Sequence, residues 1–540
     1  MTEMTGGQAL VRSLKAHGVD TIFALPGVQL DNLFDALYDE QDAIRIYHTR
    51  HEQATAYMAF GYAQATGKVG VCLVVPGPGL LNASGALSTA WSCNSPVLCL
   101  TGQIFDHQIG KRMGALHEIP DQLGMIGHIA KWTASVNTPA DAPAAVQEAF
   151  RQLTSGRPRP VVIEMPPGVM GEAGDVTLLD SSGSNAASEI DEDALDRAAK
   201  ILGQAKYPVI YAGGGTTEAG EALRQLAETL QAPVIMTPSA KGVLSDRHPL
   251  ALSLLGGHKI WAQADAVLAV GTRFERPLTD WGIDGLQVIR MDIDAEEFDK
   301  LTPPTLGIVA DAASGIAALA NKVERHNGKR ESRTDEIAAI KEQVSEELFE
   351  KGQPQASIAE VIRQELPDDG RFVGDVTQVA AFADLGFPIY EPRTFITSGF
   401  QGTLGYGYAT SLGVKVGCPN VPVVSVNGDG GFLYTMPELA TAKQHGINVV
   451  AIVFNDGAYG NVKAIQRTRY GGREIASTLE NPDFVTLAKA FNIAGRRAET
   501  PEQLREALRE GFALNEPMLI DYPTAPMPMV RQLSRGRVRG

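Results

Sequence analysis

The chain is poor in cysteine: Cys72, Cys93, Cys99 and Cys418 are the only four among 540 residues. Their spacing fits no zinc-ligand pattern, and so few cannot staple a chain of this length. Buried free thiols in a reducing compartment are expected instead. No apolar run reaches the roughly 18 residues that a membrane-spanning helix needs. Met1-Thr2-Glu3-Met4 offers neither a basic region nor an apolar run, so no secretory signal is expected and the protein is placed in the cytoplasm. Basic residues are also in deficit. Against 63 Asp and Glu stand 47 Lys and Arg, a net charge of −16. This excludes a nucleic-acid binder, which needs basic faces to displace counterions. An anionic ligand would therefore have to be held by something other than bulk positive charge.

What is present is ordinary globular composition, 44% hydrophobic and 20% charged, which excludes global disorder. Short runs rich in Val and Ile, at Val69–Val75, Pro96–Thr101, Pro160–Met165, Pro208–Tyr211, Ala266–Val270, Val288–Ile293, Pro422–Val426, Val449–Phe454 and Met518–Asp521, read as buried strands. Helix-length segments alternate with them, as in α/β domains with mostly parallel sheets. The small polar stretch from Asp180 to Asn185 reads as a linker, and the charged stretch Lys322–Gly352 as a long exposed helix between domains, with Pro354 restarting the fold. Three doubly wound α/β domains are expected, at 1–172, 186–325 and 353–525. A basic tail, 526–540, is expected to be mobile or ordered only against a partner. The outer two domains end alike. Thr138-Pro139 and Thr500-Pro501 each open a helical stretch that leads to a strand closing in an acid and a proline, the mark of a duplicated fold.

The segment Val423–Gly431 is a strand running into Gly428-Asp429-Gly430-Gly431. Glycines let backbone approach a phosphate, and a helix start offers free N–H groups. Asp429 sits where a hard divalent cation would bridge to that phosphate. With 24 residues between Gly430 and Asn455, a second strand ends in Asn455-Asp456-Gly457-Ala458-Tyr459-Gly460. A strand–helix–strand unit brings both loops to the carboxyl edge of one sheet, where open α/β folds bind ligands. Oxygen donors from the two loops could complete a magnesium site.

These two loops at this spacing resemble the signature of the thiamine-diphosphate enzymes, and nearest to them acetolactate synthase and its relatives. The resemblance covers nearly the whole chain and implies a pyrimidine-binding domain, a central domain and a diphosphate-binding domain. It assigns the metal to Asp429, Asp456 and the carbonyl of Ala458, with Asp456 departing from the family's Asn. It also places Gly428, Gly430, Gly431, Asn455, Tyr459 and Gly460 at the cofactor. Arg50-His51-Glu52 resembles the segment carrying the family's catalytic glutamate, ahead of a helix over Thr55–Ala65. Glu52 would then bond a pyrimidine nitrogen and promote the tautomer that takes the proton from the weakly acidic thiazolium carbon.

Further matches follow residue by residue. In Ser398–Gly405, the Gly402 carbonyl would accept the pyrimidine amino group and Leu404 would hold the cofactor bent. Thr377 and Gln378 would bind diphosphate. Pro26, Gly77 and Asn82 would line the pyrimidine. Gly27, Val28, Gln29, Asn461, Val462 and Ile465 would face the substrate. His117, in Leu116-His117-Glu118, would position the substrate or relay a proton. Val75 and Val28 replace a histidine and a serine of the benzoylformate-type decarboxylases, which counts against an aryl decarboxylase. Ile465 replaces a tryptophan that selects larger acceptors. Gly213-Gly214-Gly215 is a weak nucleotide-like turn, and the loop at Leu255–His258 is shortened relative to flavin-containing relatives, so no tightly bound FAD is expected. The resemblance implies decarboxylation of a small 2-keto acid, pyruvate foremost, and carboligation. A decarboxylase or carbon–carbon lyase on a bulkier substrate and an inactive cofactor-binding partner subunit are the alternatives. It also implies a homodimer at least, and a homotetramer by pairing of dimers.

Overall fold

The computed structural model describes residues 1–180 and 189–539. Most of the expected linker, 181–185, lies outside the described residues. Three six-stranded parallel sheets carry the fold, joined by a two-stranded antiparallel ribbon of Thr2–Thr5 with Ala173–Val176. In space, the first sheet runs Arg45–His48, Thr21–Ala24, Gly70–Val74, Val97–Gly102, Val161–Met165, Trp132–Ser135. The third runs Phe395–Thr397, Arg371–Gly374, Val423–Gly428, Val450–Asn455, Met518–Pro523, Ala494–Arg497. Both follow the same permutation, second-first-third-fourth-sixth-fifth, as a duplicated fold should. The middle sheet differs. Its order is third-second-first-fourth-fifth-sixth, with Pro208–Ala212 beside Ala266–Val270 where the winding reverses.

The inner strands are buried along their whole length, as continuous apolar runs covered by helices on both faces require. The outer domains meet through two helices, Glu52–Thr66 and Tyr406–Gly417. A Cβ on Gly61 would lie 2.1 Å from the Thr410 carbonyl oxygen, and one on Gly413 would lie 1.9 Å from that of Met58. Only glycine on both helices permits so close a crossing. Between the first and middle domains, buried Arg157 bonds Asp292 at 3.0 Å, Asp294 at 3.1 Å and Glu297 at 3.3 Å.

Two expectations are corrected here. The charged stretch is not one exposed helix: its helical part is Thr334–Lys351, and Ile337, Val344 and Leu348 are buried. Those three lie on one stripe that packs on the core, while Arg330 ahead of it bonds the carbonyls of Leu202, Gly203 and Ala205. The tail is neither free nor dependent on a second chain. Between Ala266–Val270 and Gln287–Asp292 the crossover holds a single five-residue helical turn, Pro277–Trp281, too short to cover the sheet. The tail fills that layer. Leu533 and Val538 pack on the core, Trp281 donates its indole N–H to the Ser534 carbonyl at 2.9 Å, and the Trp281 carbonyl accepts the Val538 and Arg539 N–H groups. Arg531 pairs with Asp384, Arg535 with Asp280 and Arg537 with Asp284, while Arg539 donates to the carbonyls of Trp261, Ala262 and Asp284. Among the described residues all four cysteines are free, with Cys72 and Cys99 buried and Cys93 and Cys418 half-buried, and no helix is long and apolar enough to cross a membrane.

Candidate active site

At the carboxyl edge of the first sheet, the chain turns through Thr49–His51 into the helix that starts at Glu52 itself, three residues earlier than the sequence reading placed it. A His51 ring nitrogen caps this helix by accepting the Gln53 N–H at 3.2 Å. The Glu52 carboxylate accepts a hydrogen bond from the Asn82 amide at 3.0 Å. Val75 is buried beneath them, its methyl groups so placed that a Cβ on Gly27 or Gly79 would fall 2.3 or 2.6 Å away. Gly77 adopts φ +59, and a Cβ there would lie 2.2 Å from the His117 carbonyl oxygen, so the turn needs glycine on both counts.

Gln29 is fully buried and ties the His117 segment to this turn. Its Oε1 bonds His117 Nδ1 at 2.9 Å and its Nε2 donates to the Leu116 carbonyl at 3.2 Å. With that amide assignment the proton lies on Nδ1, leaving Nε2 of His117 as the acceptor. Gln122 completes the support, accepting the Gly77 N–H at 3.0 Å and donating to Glu164 at 2.8 Å. Pro26, Gly27, Val28, Gln29, Gly77, Asn82, His117 and Glu52 are thus brought together, with Pro26 and Val28 exposed at the rim.

The second cluster sits at the equivalent edge of the third sheet. Strands Val423–Gly428 and Val450–Asn455 are paired neighbours with Gly428 opposite Phe454, so Asp429 and Asp456 leave them side by side. Asp429 is buried, its Oδ1 accepting the Gly430 N–H at 2.8 Å and its Oδ2 accepting the Asn481 amide at 2.6 Å. The same amide nitrogen donates to Asn455 Oδ1 at 2.9 Å. Burial, and then the charge of Asp429, push the Asp456 carboxyl up to about 6. Ala458 is held by a bridge to Thr478, and Tyr459 donates its N–H to the Ser477 carbonyl at 2.9 Å. A Cβ on Gly430 would meet the Tyr459 ring at 2.7 Å, whereas one on Gly428 would meet nothing nearer than Thr377 Cγ2 at 3.6 Å.

Thr377 caps the helix Gln378–Gly386 by accepting the Ala380 N–H at 2.9 Å, which leaves its hydroxyl proton to donate outward, with Gln378 half-buried beside it. Gly402 has φ +58 and no neighbour within 4 Å of a would-be Cβ, and Leu404 next to it is half-buried. Asn461 and Val462 are exposed and Ile465 half-buried on the helix Gly460–Arg469, which has no buried residue among its ten. The Glu52 group and the Asp429 group stand on separate sheets.

Two participants escaped the sequence reading. Asn481 bridges Asp429 and Asn455 from a loop with no motif of its own, and its Oδ1 is buried without a partner. Asp375 was legible only as part of Asp375-Val376-Thr377-Gln378. It is buried, burial raises its carboxyl to about 6 against the N–H groups of Val376, Gly407 and Gly405, and its Oδ2 has no partner. A carboxylate just past a strand end and two residues before a capping threonine was the available signal. No three His, Cys, Asp or Glu side chains converge as a metal cage among the described residues.

Comparison with known proteins accounts for this geometry. Residues 4–125 match the thiamine pyrophosphate enzyme N-terminal TPP binding domain, 195–319 its central domain and 375–522 its C-terminal TPP binding domain. A probable acetolactate synthase large subunit of Methanocaldococcus jannaschii is 34% identical, over 98% of this chain and 93% of that protein. A probable 2-ketoarginine decarboxylase of Pseudomonas aeruginosa is also 34% identical, over 96% and 94%. Acetolactate synthase isozyme 3 large subunit of Escherichia coli is 32% identical, over 95% and 93%. Motifs, three matched domains and near-complete coverage agree: this chain belongs to the thiamine pyrophosphate enzyme family.

Proposed function

We propose that this thiamine-diphosphate-dependent enzyme decarboxylates a small 2-keto acid, pyruvate foremost, and joins the remaining fragment to a second carbonyl compound, as an acetolactate synthase does. The observation that carries the reading is the pairing of Asp429 with the unusually basic Asp456 beside the glycine-rich loop Gly428–Gly431. Two neighbouring carboxylates that repel each other fit a divalent cation, and the unpartnered Asn481 Oδ1 adds a hard oxygen close by. Asp429, Asp456 and the Ala458 carbonyl would hold magnesium. Gly428, Gly430, Gly431 and Thr377 would take diphosphate oxygens through backbone N–H and hydroxyl groups. When bound, thiamine diphosphate supplies an acidic thiazolium carbon that serves as electron sink.

The protein's own part is positional. Glu52, aligned by Asn82, would bond a pyrimidine ring nitrogen of the bound cofactor. Leu404 would set an apolar side chain against the bound cofactor, and the Gly402 carbonyl would accept its amino group. His117, oriented by Gln29, presents Nε2 to the substrate. Val28, Val75, Val462 and Ile465 would present apolar side chains to the substrate.

Incubation with pyruvate tests this: acetolactate, read as acetoin after acidification, is the expected product. Acetaldehyde alone would favour the second reading, a decarboxylase on a bulkier keto acid. That reading is supported by the 2-ketoarginine decarboxylase relative and by the open wall at Val28 and Val462, each 48% exposed. No tightly bound flavin is proposed. Gly213 and Gly215 back directly onto Gly271, with would-be Cβ distances of 2.3 and 2.7 Å, and a yellow purified protein would overturn this. The four free thiols fit a reducing, cytoplasmic setting.

We also propose a homodimer in which Glu52 serves the partner's cofactor, and a homotetramer by pairing of dimers. Exposed Leu116, Phe400 and Tyr434 beside the two clusters support burial of these edges on assembly. Mixing inactive Glu52→Gln and Asp429→Asn proteins under exchange conditions is expected to restore activity. An active monomer would sink the assembly.

A further inference from the structure

Glu438 is fully buried in the short turn Met436–Glu438 that continues the helix Asp429–Thr435. Its carboxylate does not face its own domain's core. Oε1 accepts the backbone N–H groups of Arg50 and His51, each at 3.1 Å, and Oε2 accepts that of Arg50 at 3.0 Å. Thr441 donates its hydroxyl to Oε2 and holds the carboxylate in place. Two further residues of the same segment grip the same turn. The Arg50 guanidinium donates to Gln444 Oε1 at 2.7 Å, and the His48 N–H donates to His445 Nε2 at 3.3 Å. One stretch of the third domain, 438–445, thus fixes three residues of the first, His48, Arg50 and His51, and the next residue is Glu52.

The chemistry of this contact is specific. Backbone N–H groups of Arg50 and His51 point away from the helix they precede, so no intrahelical acceptor serves them. A single carboxylate accepts both, through charge-assisted bonds that are stronger than neutral ones. A side chain that merely filled space would not need a charge there. Because the helix carrying Asp429 and the turn carrying Glu438 are continuous, the contact links the orientation of Glu52 to the segment that starts at the proposed metal ligand.

We infer that Glu438 is a positioning residue for cofactor activation, which fixes the backbone at Arg50-His51 and thereby aims the Glu52 carboxylate. The inference rests on the proposed role of Glu52. Glu438→Gln keeps the volume but turns an amide N–H₂ toward two N–H donors. Glu438→Asp keeps the charge but withdraws it by one methylene.

Three measurements decide the matter. Amide hydrogen exchange of the cofactor-free protein is expected to lose protection at Arg50 and His51 in Glu438→Gln and to keep more of it in Glu438→Asp. In the holoenzyme, deuterium exchange at the acidic thiazolium carbon, read by rapid quench and NMR, is expected to slow about 10- to 100-fold in Glu438→Gln, the scale of a small misplacement of a catalytic group. Glu438→Asp is expected to fall between Gln and wild type. In a Glu52→Gln background, Glu438→Gln is expected to cause no further slowing, because its effect runs through Glu52; an additional loss would make the role merely structural and overturn the inference. Wild-type exchange in Glu438→Gln, with Glu52→Gln inactive, would overturn the positioning role alone. Wild-type exchange in Glu52→Gln would remove the reading of Glu52 and the inference with it. Should the Gln variant fail to fold, the Asp variant carries the comparison, and wild-type rates there with unchanged amide protection would overturn the inference.

Discussion

Asp456 is the position at which the metal loop departs from the family's asparagine, and its consequence is measurable. Its carboxyl is raised to about 6, first by burial and then by the charge of Asp429. A carboxylate must be ionised to ligate a cation, so metal binding expels whatever proton it carries. About half of the Asp456 side chains are protonated at pH 6 and about a tenth at pH 7, so binding at pH 6 releases about half a proton from this residue. Between pH 7 and pH 5 the protonation penalty on affinity grows from a factor of about 1.1 to about 11, a loss of about tenfold. Asp456→Asn keeps an oxygen donor and has no proton to lose. Calorimetric titration of magnesium into cofactor-supplied protein, in buffers of different ionisation heat, reads the protons directly. Bound diphosphate also sheds protons near pH 6, in both proteins, so the difference between them is the readout. The variant is expected to release about half a proton less at pH 6, and its affinity should fall about tenfold less on going to pH 5. Equal proton release and equal slopes would refute both the raised carboxyl and its place at the metal.

Three further predictions address stability. Asp375 has an ordinary value of 3.8 and is raised to about 6. Its contribution is fully present below the unfolded value and is lost as pH rises through the folded one, at most about 3 kcal/mol. The cofactor-free wild type should therefore lose more urea resistance between pH 5 and pH 8 than Asp375→Asn; identical pH dependence would exclude this carboxyl as the cause. Arg157→Ala strips buried Asp292 of its guanidinium partner and is expected to cost about 3–5 kcal/mol, read as a lower denaturation midpoint. A change within error would mean that the cluster contributes no net stability. Ending the chain at Val530 removes the acceptor of the Trp281 indole N–H, at a cost of about 1–3 kcal/mol. It should red-shift tryptophan emission, and an unchanged spectrum would show that the tail is not seated on Trp281 in solution.

The parts of the fold legible in the sequence were those whose physics is local. All nine apolar runs read as strands overlap observed strands, because inner strands covered on both faces must be apolar throughout. Arg45–His48, Trp132–Ser135 and Ala494–Arg497 were missed as edge strands, which pair on one side only and tolerate Arg, Thr and Ser, and the inner strands Thr21–Ala24, Val234–Met236 and Arg371–Gly374 were missed because each is only three or four residues long. The same split holds at the site. Asp429 and Asp456 were visible because their loops follow apolar strands at a fixed spacing. Asn481 and Glu438 were not, because each acts across tens or hundreds of residues of sequence and stands in no pattern of its own. The tail was misread for the opposite reason. Its arginines and glycines look solvent-borne, and only the stunted crossover at Pro277–Trp281 explains why they are needed where they sit.

That arrangement also sets an order of events during synthesis. The middle domain's strands are complete once Val309 has been made, yet the layer over Trp281 is supplied by residues 533–539, far later in the chain. The first domain waits as well, since its glycine-faced helix Glu52–Thr66 seats against Tyr406–Gly417. Domains are generally expected to fold in turn as they emerge. Here two of the three are left with an apolar face uncovered until a distant later segment has been made, so a chain interrupted before residue 533 lacks the cover of Trp281. Residues 533–539 thus bear on the fate of the nascent chain as much as on the finished enzyme.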